Sequence, residues 1–177
     1  FDVHAPTFRH EMFADYKGTR KPMAEELRQQ VPVIKDVLRA MHIEVIEKAG
    51  LEADDLLGTL SHRCEEKGMD VSIISGDRDT LQLATEHIKI RIPKTKQGKT
   101  EVEDYYDVQE RYGVTPKEFI DVKALMGDTA DNIPGVPGVG EKTATKIIQQ
   151  YQTIENAYEH VDELKPPRAS KNLKEFW

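Results

Sequence analysis

Eight carboxylates stand in four short clusters that lie far apart in the chain. They are Asp2; Glu52, Asp54 and Asp55; Asp77 and Asp79; and Asp128 and Asp131. Each cluster follows or borders an apolar run typical of a strand or a helix start. Like charges ~4 Å apart repel by about 4 kcal/mol at an effective dielectric of 20, so a cation must neutralise them. Oxygen ligands favour Mg²⁺ or Mn²⁺. Two such ions are the usual means of cleaving a phosphodiester, so these residues predict a metal-dependent nuclease.

The composition fits one domain, or one domain and a small module. The chain has 177 residues, of which 38% are hydrophobic and 32% charged, and no apolar run approaches the ~18 residues of a membrane span. We see no signal peptide, although the sequence opens on Phe1 rather than on Met. The one cysteine, Cys64, forms no internal disulfide and fits a reducing, cytoplasmic compartment.

The net charge of −7 argues against nucleic acid at first sight. The eight clustered acids would account for all of that negative charge if they bound metal ions, leaving lysine and arginine to face phosphate. Local basic patches therefore decide this question better than net charge does.

The apolar pattern predicts an α/β core followed by helices. Short apolar runs predict strands at 1–5, 43–46, 70–75 and 88–92. Helical spacing predicts helices at 24–41, 52–67, 104–112, 116–126, 141–151 and 153–160, and a short one from Gly76 to Leu83. Strands alternating with helices indicate a sheet covered by helices. Sites in such sheets lie beyond the carboxyl ends of the parallel strands, where the first three acidic clusters fall.

The most specific stretch begins at Gly127 with the motif Gly-Asp-Thr-Ala-Asp-Asn-Ile-Pro-Gly and continues to Lys142. Gly135, Gly138 and Gly140 precede a helix, so backbone N–H groups at its N-terminus could bind a phosphate. The pattern predicts a helix–hairpin–helix that grips a duplex backbone without reading sequence. Carbonyls of the hairpin could also hold a monovalent cation. The alternative is a plain Gly/Pro turn between two helices.

A basic segment with interleaved aromatic residues runs from Phe8 to Arg20. It could form a gate in which bases stack on rings and phosphates meet Lys and Arg, or it could be a solvated surface loop. The acids of Glu52-Ala-Asp-Asp have an alternative role too, because carboxylates in a first helical turn complement the helix dipole by ~0.3–1 kcal/mol each. The scattered histidines indicate no zinc site.

Five motifs occur in order: Phe-Arg-His-Glu with Ala-Asp-Tyr-Lys-Gly-Thr-Arg, Glu-Ala-Asp-Asp, Ser-Gly-Asp-Arg-Asp, Lys-Ala-Leu-Met-Gly-Asp-Thr-Ala-Asp-Asn-Ile-Pro-Gly-Val, and Gly-Val-Gly-Glu-Lys-Thr-Ala. Together they closely resemble the 5′-nuclease family found in bacterial DNA polymerase I, kin to phage 5′-exonucleases and flap endonucleases. The resemblance runs from Phe1 to about residue 165.

This resemblance implies a PIN-like α/β fold, a parallel sheet flanked by helices, with a helical arch and a C-terminal helix–hairpin–helix module. The implied domains are a core at 1–100 with the arch at 6–30, the hairpin module at 101–165, and a boundary or truncated tail at 166–177. The implied activity is removal of 5′ flaps and RNA primers in replication and repair. The implied partners are DNA with a 5′ flap, nick or RNA-primer junction and a covalently linked polymerase domain, for a monomer in the bacterial cytoplasm without membrane contact.

The resemblance also assigns residue roles. The first of two divalent ions, Mg²⁺ or Mn²⁺, would be held by Asp2, Glu52, Asp54 and Asp55, and the second by Asp77, Asp79, Asp128 and Asp131. Lys17 and Arg20 match cations that meet the scissile phosphate. The positions expected to contact DNA are Arg9, Tyr16, Lys123, Gly135, Gly138, Gly140 and Lys142. The hairpin would be the site of a K⁺ ion.

One departure leaves an alternative function open. The family has a further strand with a metal-binding Asp ahead of the position of Phe1, and this sequence does not include it. The alternative is therefore a fragment that binds DNA junctions without cleaving them. A second alternative is an acidic domain that binds Ca²⁺ and no DNA.

Overall fold

The computed structural model describes residues 1–94 and 99–176. Residues 95–98 of the predicted core and Trp177 of the predicted tail lie outside the described residues. The described chain forms two compact units. The first comprises Phe1–Leu57 and Ala130–Asn132, and the second comprises Gly58–Thr129 and the described residues from Ile133 onward. The domain boundaries given above, 1–100, 101–165 and 166–177, stay a prediction.

The first unit contains α1 (Phe8–Met12), α2 (Glu25–Ala40) and the first turn of α3 (Ala53–Glu65). The helix predicted at 24–41 is confirmed, and it runs through Pro32 without a break in assignment. None of the 16 side chains of α2 is buried. By contrast, Tyr16 is only 5% exposed, so burial in this unit concentrates at the segment between α1 and α2.

The strands predicted at 1–5 and 43–46 are wrong, because neither segment forms a strand. The two segments do meet, since the Phe1 ammonium donates a hydrogen bond of 2.9 Å to the Ile46 carbonyl. A strand needs a continuous ladder of backbone hydrogen bonds, and an apolar run alone does not supply one. Ile43 and Ile46 accordingly remain 46% and 41% exposed.

The second unit holds a three-stranded sheet in the order β1 (Val71–Ile74), β2 (Ile88–Lys94), β3 (Lys99–Glu103). β1 and β2 are parallel, with Val71 opposite Ile88, whereas β2 and β3 are antiparallel. The α/β class is confirmed, but this sheet is mixed rather than all parallel. The strands predicted at 70–75 and 88–92 are confirmed, and β3 was not predicted.

Helices flank this sheet and form the rest of the second unit. They are α3 from Gly58 onward, the 3₁₀ helix Arg78–Leu83, α4 (Tyr105–Tyr112), α5 (Pro116–Met126), α6 (Glu141–Tyr151), α7 (Ile154–Glu159), the 3₁₀ helix Val161–Glu163 and α8 (Pro167–Phe176). Asp104 caps α4 and Thr115 caps α5, as expected for residues that satisfy the free N–H groups of a first turn. The segment expected to be a boundary or tail contains α8. Throughout the described chain, no helix has the length and apolar character needed to cross a bilayer.

Candidate active site

The N-terminus of α3 gathers two of the predicted metal ligands of the first unit. Asp2 Oδ1 accepts a hydrogen bond of 2.6 Å from the Ala53 N–H, and Asp55 Oδ2 accepts one of 2.8 Å from the Glu52 N–H. These bonds satisfy backbone donors that a helix start leaves free. The helix-start role weighed from the sequence is therefore real for Asp55, and Asp2, for which no such role was predicted, binds the same helix start. Asp54 lies exposed in the same turn.

Arg9 donates to both carboxylate oxygens of Asp55 through its two terminal guanidinium nitrogens, at 2.9 Å and 2.7 Å. Such bidentate pairs are the strongest carboxylate contacts in proteins. The hydrogen bonds from Arg9 are the main reason that the pKa of Asp55 lies below its ordinary value, against the opposing effect of burial. Arg9, predicted to contact DNA, here contacts the first turn of α3.

Tyr16 lies at the centre of the first unit. Its hydroxyl is 3.0 Å from Glu52 Oε2 and 3.0 Å from Asp131 Oδ2. A phenol has one proton to donate, so the two carboxylates share it. Burial is the first cause of the raised pKa of Tyr16, followed by these two hydrogen bonds, so the hydroxyl stays protonated. The ring of His10 meets the Tyr16 ring edge-on at 5.2 Å between centroids.

Lys17 contacts both of these acidic residues, and Arg20 contacts Asp131. Lys17 Nζ is 2.9 Å from Glu52 Oε1 and 4.0 Å from Asp131 Oδ2. Arg20 forms an ion pair with Asp131 and donates through Nε to the Ala130 carbonyl at 3.1 Å. The structure thus brings the two predicted catalytic cations together with predicted metal ligands. Lys17 is also within 5.0 Å of the Tyr16 ring centroid, a cation–π contact.

Backbone contacts fix this arrangement on residues 130–132. The Lys17 N–H donates to the Asp131 carbonyl at 2.8 Å. Asn132 Nδ2 donates to the Asp15 carbonyl at 2.8 Å, and Asn132 itself has a left-handed backbone with φ of 59°. Asn132 is not among the site residues predicted from the sequence. The available signal was its place directly after Asp131, since Asn is among the few residues that tolerate this backbone region.

In the second unit, one ammonium lies between two predicted metal ligands. Lys123 Nζ is 2.9 Å from Asp79 Oδ1 and 2.9 Å from Asp128 Oδ2. Burial lowers the pKa of Lys123, but hydrogen bonds to both carboxylates outweigh it and leave the pKa above its ordinary value. Burial, assisted by Asp77 and Asp128, raises the pKa of Asp79 in spite of Lys123. The Lys123 charge therefore offsets repulsion among clustered acids.

Local turns hold those acids in place. Asp77 is the N-cap of the 3₁₀ helix Arg78–Leu83 and accepts from the Asp79 N–H at 2.9 Å. Asp128 pairs with Ile133 through two backbone hydrogen bonds of 2.8 Å and 2.7 Å. Two residues after that bridge, a Cβ on Gly135 would lie 2.2 Å from the carbonyl carbon of Met126. Gly135 is therefore required for close backbone packing, whatever else it contacts.

The predicted hairpin before α6 keeps part of its surface open. Val136 and Val139 are each 4% exposed and anchor the turn in the core, whereas Gly138 and Gly140 are exposed. Gly140 is the N-cap of α6, and a Cβ there would meet no atom within 4 Å. This helix N-terminus, with exposed Lys142 in its first turn, suits an anion.

The donor set of both units fits a divalent cation in its chemistry. All predicted ligands are carboxylate oxygens, the donors preferred by Mg²⁺ and Mn²⁺. A positive group already lies between carboxylates in each unit, Lys17 at Glu52 and Asp131 and Lys123 at Asp79 and Asp128. Within residues 1–94 and 99–176, however, no three His, Cys, Asp or Glu side chains are arranged to hold one metal. A cation would have to compete with these ammonium groups for the same oxygens.

Carboxylates paired with lysine and arginine, in a chain that also has a small mixed sheet and a glycine hairpin, agree with the nuclease class predicted from the sequence. Family comparison agrees. Residues 1–113 match the model of the 5′-3′ exonuclease N-terminal resolvase-like domain. Residues 114–177 match that of the 5′-3′ exonuclease C-terminal SAM fold. The chain belongs to the 5′-3′ exonuclease family.

Individual relatives give the same result. DNA polymerase I of Bacillus caldotenax is 47% identical over 177 residues, which is 99% of this chain and 20% of that protein. The chain thus spans about a fifth of the length of such relatives. The zinc-bound structure of T5 5′-exonuclease superposes with a TM-score of 0.81 at 26% identity, covering 98% of this chain and 67% of that one. A complex of T5 D15 flap endonuclease with DNA and metal ions gives 0.79 at 25% identity, covering 98% and 66%.

Proposed function

We propose that this chain is a divalent-metal-dependent, structure-specific 5′ nuclease. Its substrates would be DNA with a 5′ flap, a nick or an RNA-primer junction, and it would remove 5′ flaps and RNA primers in DNA replication and repair. The observation that carries the proposal is the cluster of Tyr16, Lys17 and Arg20 on Glu52 and Asp131. Cations that can meet a phosphate lie there beside oxygens that can hold a metal. Membership of the 5′-3′ exonuclease family supports it.

Two groups of carboxylates would hold the metal ions. One comprises Asp2, Glu52, Asp54 and Asp55, and the other comprises Asp77, Asp79, Asp128 and Asp131. Bound divalent ions would supply a deprotonated water as nucleophile and Lewis-acid stabilisation of the leaving 3′-oxygen. The T5 relatives solved with metal ions support this proposal.

Lys17 and Arg20 would offset the negative charge that develops on the scissile phosphate. To do so, each must exchange its present carboxylate for a phosphate oxygen. Arg20 can make this exchange at little cost, because its side chain is 48% exposed and partly exposed ion pairs are weak. Tyr16 would keep Glu52 and Asp131 oriented through its shared hydroxyl proton while the cations move.

The second unit would bind the sugar–phosphate backbone of duplex DNA. The N-terminus of α6, with Gly138, Gly140 and Lys142, would contact phosphates without reading bases, and the hairpin would be the place for a K⁺ ion. Specificity would then depend on the shape of the junction. The matched relatives are about five times as long as this chain. The proposal therefore includes a polymerase domain linked to this chain in the natural protein.

The proposal is tested by single-turnover cleavage of a 5′-labelled flap duplex in Mg²⁺. Lys17→Met should lower the cleavage rate by about 10²-fold, the usual order for losing one charge-stabilising group. Lys21→Met is the matched control, since this exposed lysine lies four residues away and has no assigned role.

Equal loss in both variants would show that general basic charge, not a positioned cation, is responsible. Gel-shift binding of the same flap separates the alternatives. Junction binding without any Mg²⁺-dependent product would favour the non-cleaving DNA-binding protein. Metal binding without DNA binding would favour the Ca²⁺-binding domain.

A further inference from the structure

The turn that carries the proposed catalytic cations is attached to residues 130–132 by contacts of unequal kinds. Four of them involve charged or titratable side chains, one from Tyr16, one from Lys17 and two from Arg20. These contacts would be exchanged or weakened when a metal ion takes the carboxylate oxygens or a phosphate takes the cationic side chains. Two others involve only neutral groups, and neither uses an oxygen assigned to metal or substrate.

Those neutral contacts flank Tyr16, because they use the peptide bond before it and the peptide bond after it. The Lys17 N–H donates to the Asp131 carbonyl at 2.8 Å, and Asn132 Nδ2 donates to the Asp15 carbonyl at 2.8 Å. Lys17 itself has φ of 56° and Asn132 has φ of 59°. Both residues thus adopt a left-handed backbone that costs energy unless local contacts hold it. Asn is suited to this position because its short amide can hydrogen-bond locally.

We propose that Asn132 is a positioning residue for the cleavage reaction. It fixes the turn Asp15–Arg20, so that Lys17 and Arg20 are oriented towards the scissile phosphate when their ion pairs open. The inference rests on the proposed function for its catalytic part and on contacts alone for its structural part. Asn132 does not touch the reacting atoms. It acts through the Asp15 carbonyl and, across the adjacent peptide, through the Asp131 carbonyl that receives the Lys17 N–H.

Asn132→Gly is the test variant, because glycine accepts the left-handed backbone and lacks only the amide. The net effect of one hydrogen bond corresponds to about a two- to ten-fold change in an equilibrium constant. Hydrogen exchange of the Lys17 amide, followed by NMR, should therefore accelerate about two- to ten-fold. Flap cleavage should lose kcat by the same factor while KM stays constant, because the turn is loosened rather than the duplex grip.

Two controls separate this role from general loosening. His42→Gly places glycine at another left-handed residue, φ 59°, of the same unit and should change neither readout. Asp15→Ala removes the side chain of the acceptor residue but leaves its carbonyl, so Lys17 exchange should stay as in the wild type. In a Lys17→Met, Arg20→Met background, Asn132→Gly should cause no further loss of kcat.

Unchanged exchange of the Lys17 amide in Asn132→Gly overturns the inference, whatever the activity. Accelerated exchange with unchanged kcat overturns the catalytic role and leaves only a structural contact. If the wild-type chain cleaves no flap at all, the proposed function fails. In that case the exchange measurement still decides whether Asn132 holds the turn.

Discussion

Replacing Lys123 with methionine removes a charge shared by two carboxylates while keeping an unbranched side chain of similar length. The ammonium lies 2.9 Å from both Asp79 Oδ1 and Asp128 Oδ2. The side chains of Lys123, Asp79 and Asp128 are 25%, 38% and 20% exposed. They are therefore neither fully solvated nor fully buried, and this intermediate burial sets the size of the effect.

Exposed ion pairs contribute about 0–1 kcal/mol, and loss of one partner from a fully buried pair costs about 3–5 kcal/mol. The intermediate burial places the Lys123→Met loss at about 2 kcal/mol of unfolding free energy. The raised pKa of Lys123 means that its stabilisation is complete below the ordinary lysine pKa and is lost only as pH rises through the raised value. At neutral pH the full effect is present, and Tm should fall by about 4–8 °C.

Urea unfolding at neutral pH in EDTA measures this loss, and the same series in millimolar Mg²⁺ tests the site. Because a divalent cation can replace the lost positive charge, Mg²⁺ should stabilise Lys123→Met more than it stabilises the wild type. Lys117→Met, an exposed lysine of the same helix α5, is the control and should stay within about 0.5 kcal/mol of the wild type. Wild-type stability of Lys123→Met in EDTA would refute the reasoning.

Three further changes test other parts of the structure. Gly127→Ala should cost about 2–4 kcal/mol in urea unfolding, since φ is 73° and the new Cβ would lie 2.2 Å from the Gly135 nitrogen, whereas Gly76→Ala should be near neutral. Burial raises the pKa of Asp121, so its carboxylate opposes folding as pH rises from the ordinary to the raised value. Asp121→Asn should therefore abolish that fall in stability, and an unchanged pH profile would contradict the assignment. Tyr16→Phe should lower unfolding free energy by about 1 kcal/mol, and a gain would show that the shared hydroxyl does not stabilise the unit.

Periodicity and caps predicted most of the regular elements. The helices α2, α5 and α6 lie within about a residue of their predicted bounds. Apolar spacing indicates the apolar face of such a helix, and flanking residues such as Thr115 and Gly140 indicate where it begins. β3 could not be predicted in this way. Its residue Glu103 is fully buried against Arg111 of α4, a pairing that only the tertiary structure supplies.

The sequence predicted which residues belong to the site, but not which residues each of them contacts. Sequence motifs identified Lys123, Asp79 and Asp128 as functional positions, but not that the lysine lies between the two acids. The Lys123–Asp79 contact depends on packing of α5 against the 3₁₀ helix Arg78–Leu83, which lies far away in the chain. The Lys123–Asp128 contact depends on the turn that the Asp128–Ile133 bridge closes. The contact of Asn132 with Asp15 depends likewise on a backbone conformation that a side-chain pattern does not encode.

The central claim is that the clustered carboxylates support metal-dependent cleavage at a 5′ junction. The most direct measurement is incubation of the chain with a 5′-labelled flap duplex in Mg²⁺ and in EDTA, with the product sized on a sequencing gel. Our account predicts a short labelled product, cut near the junction, that forms in Mg²⁺ and is absent in EDTA. A product of the same length and amount in EDTA would contradict it. So would the absence of product in Mg²⁺ at protein concentrations that bind all of the flap in a gel shift.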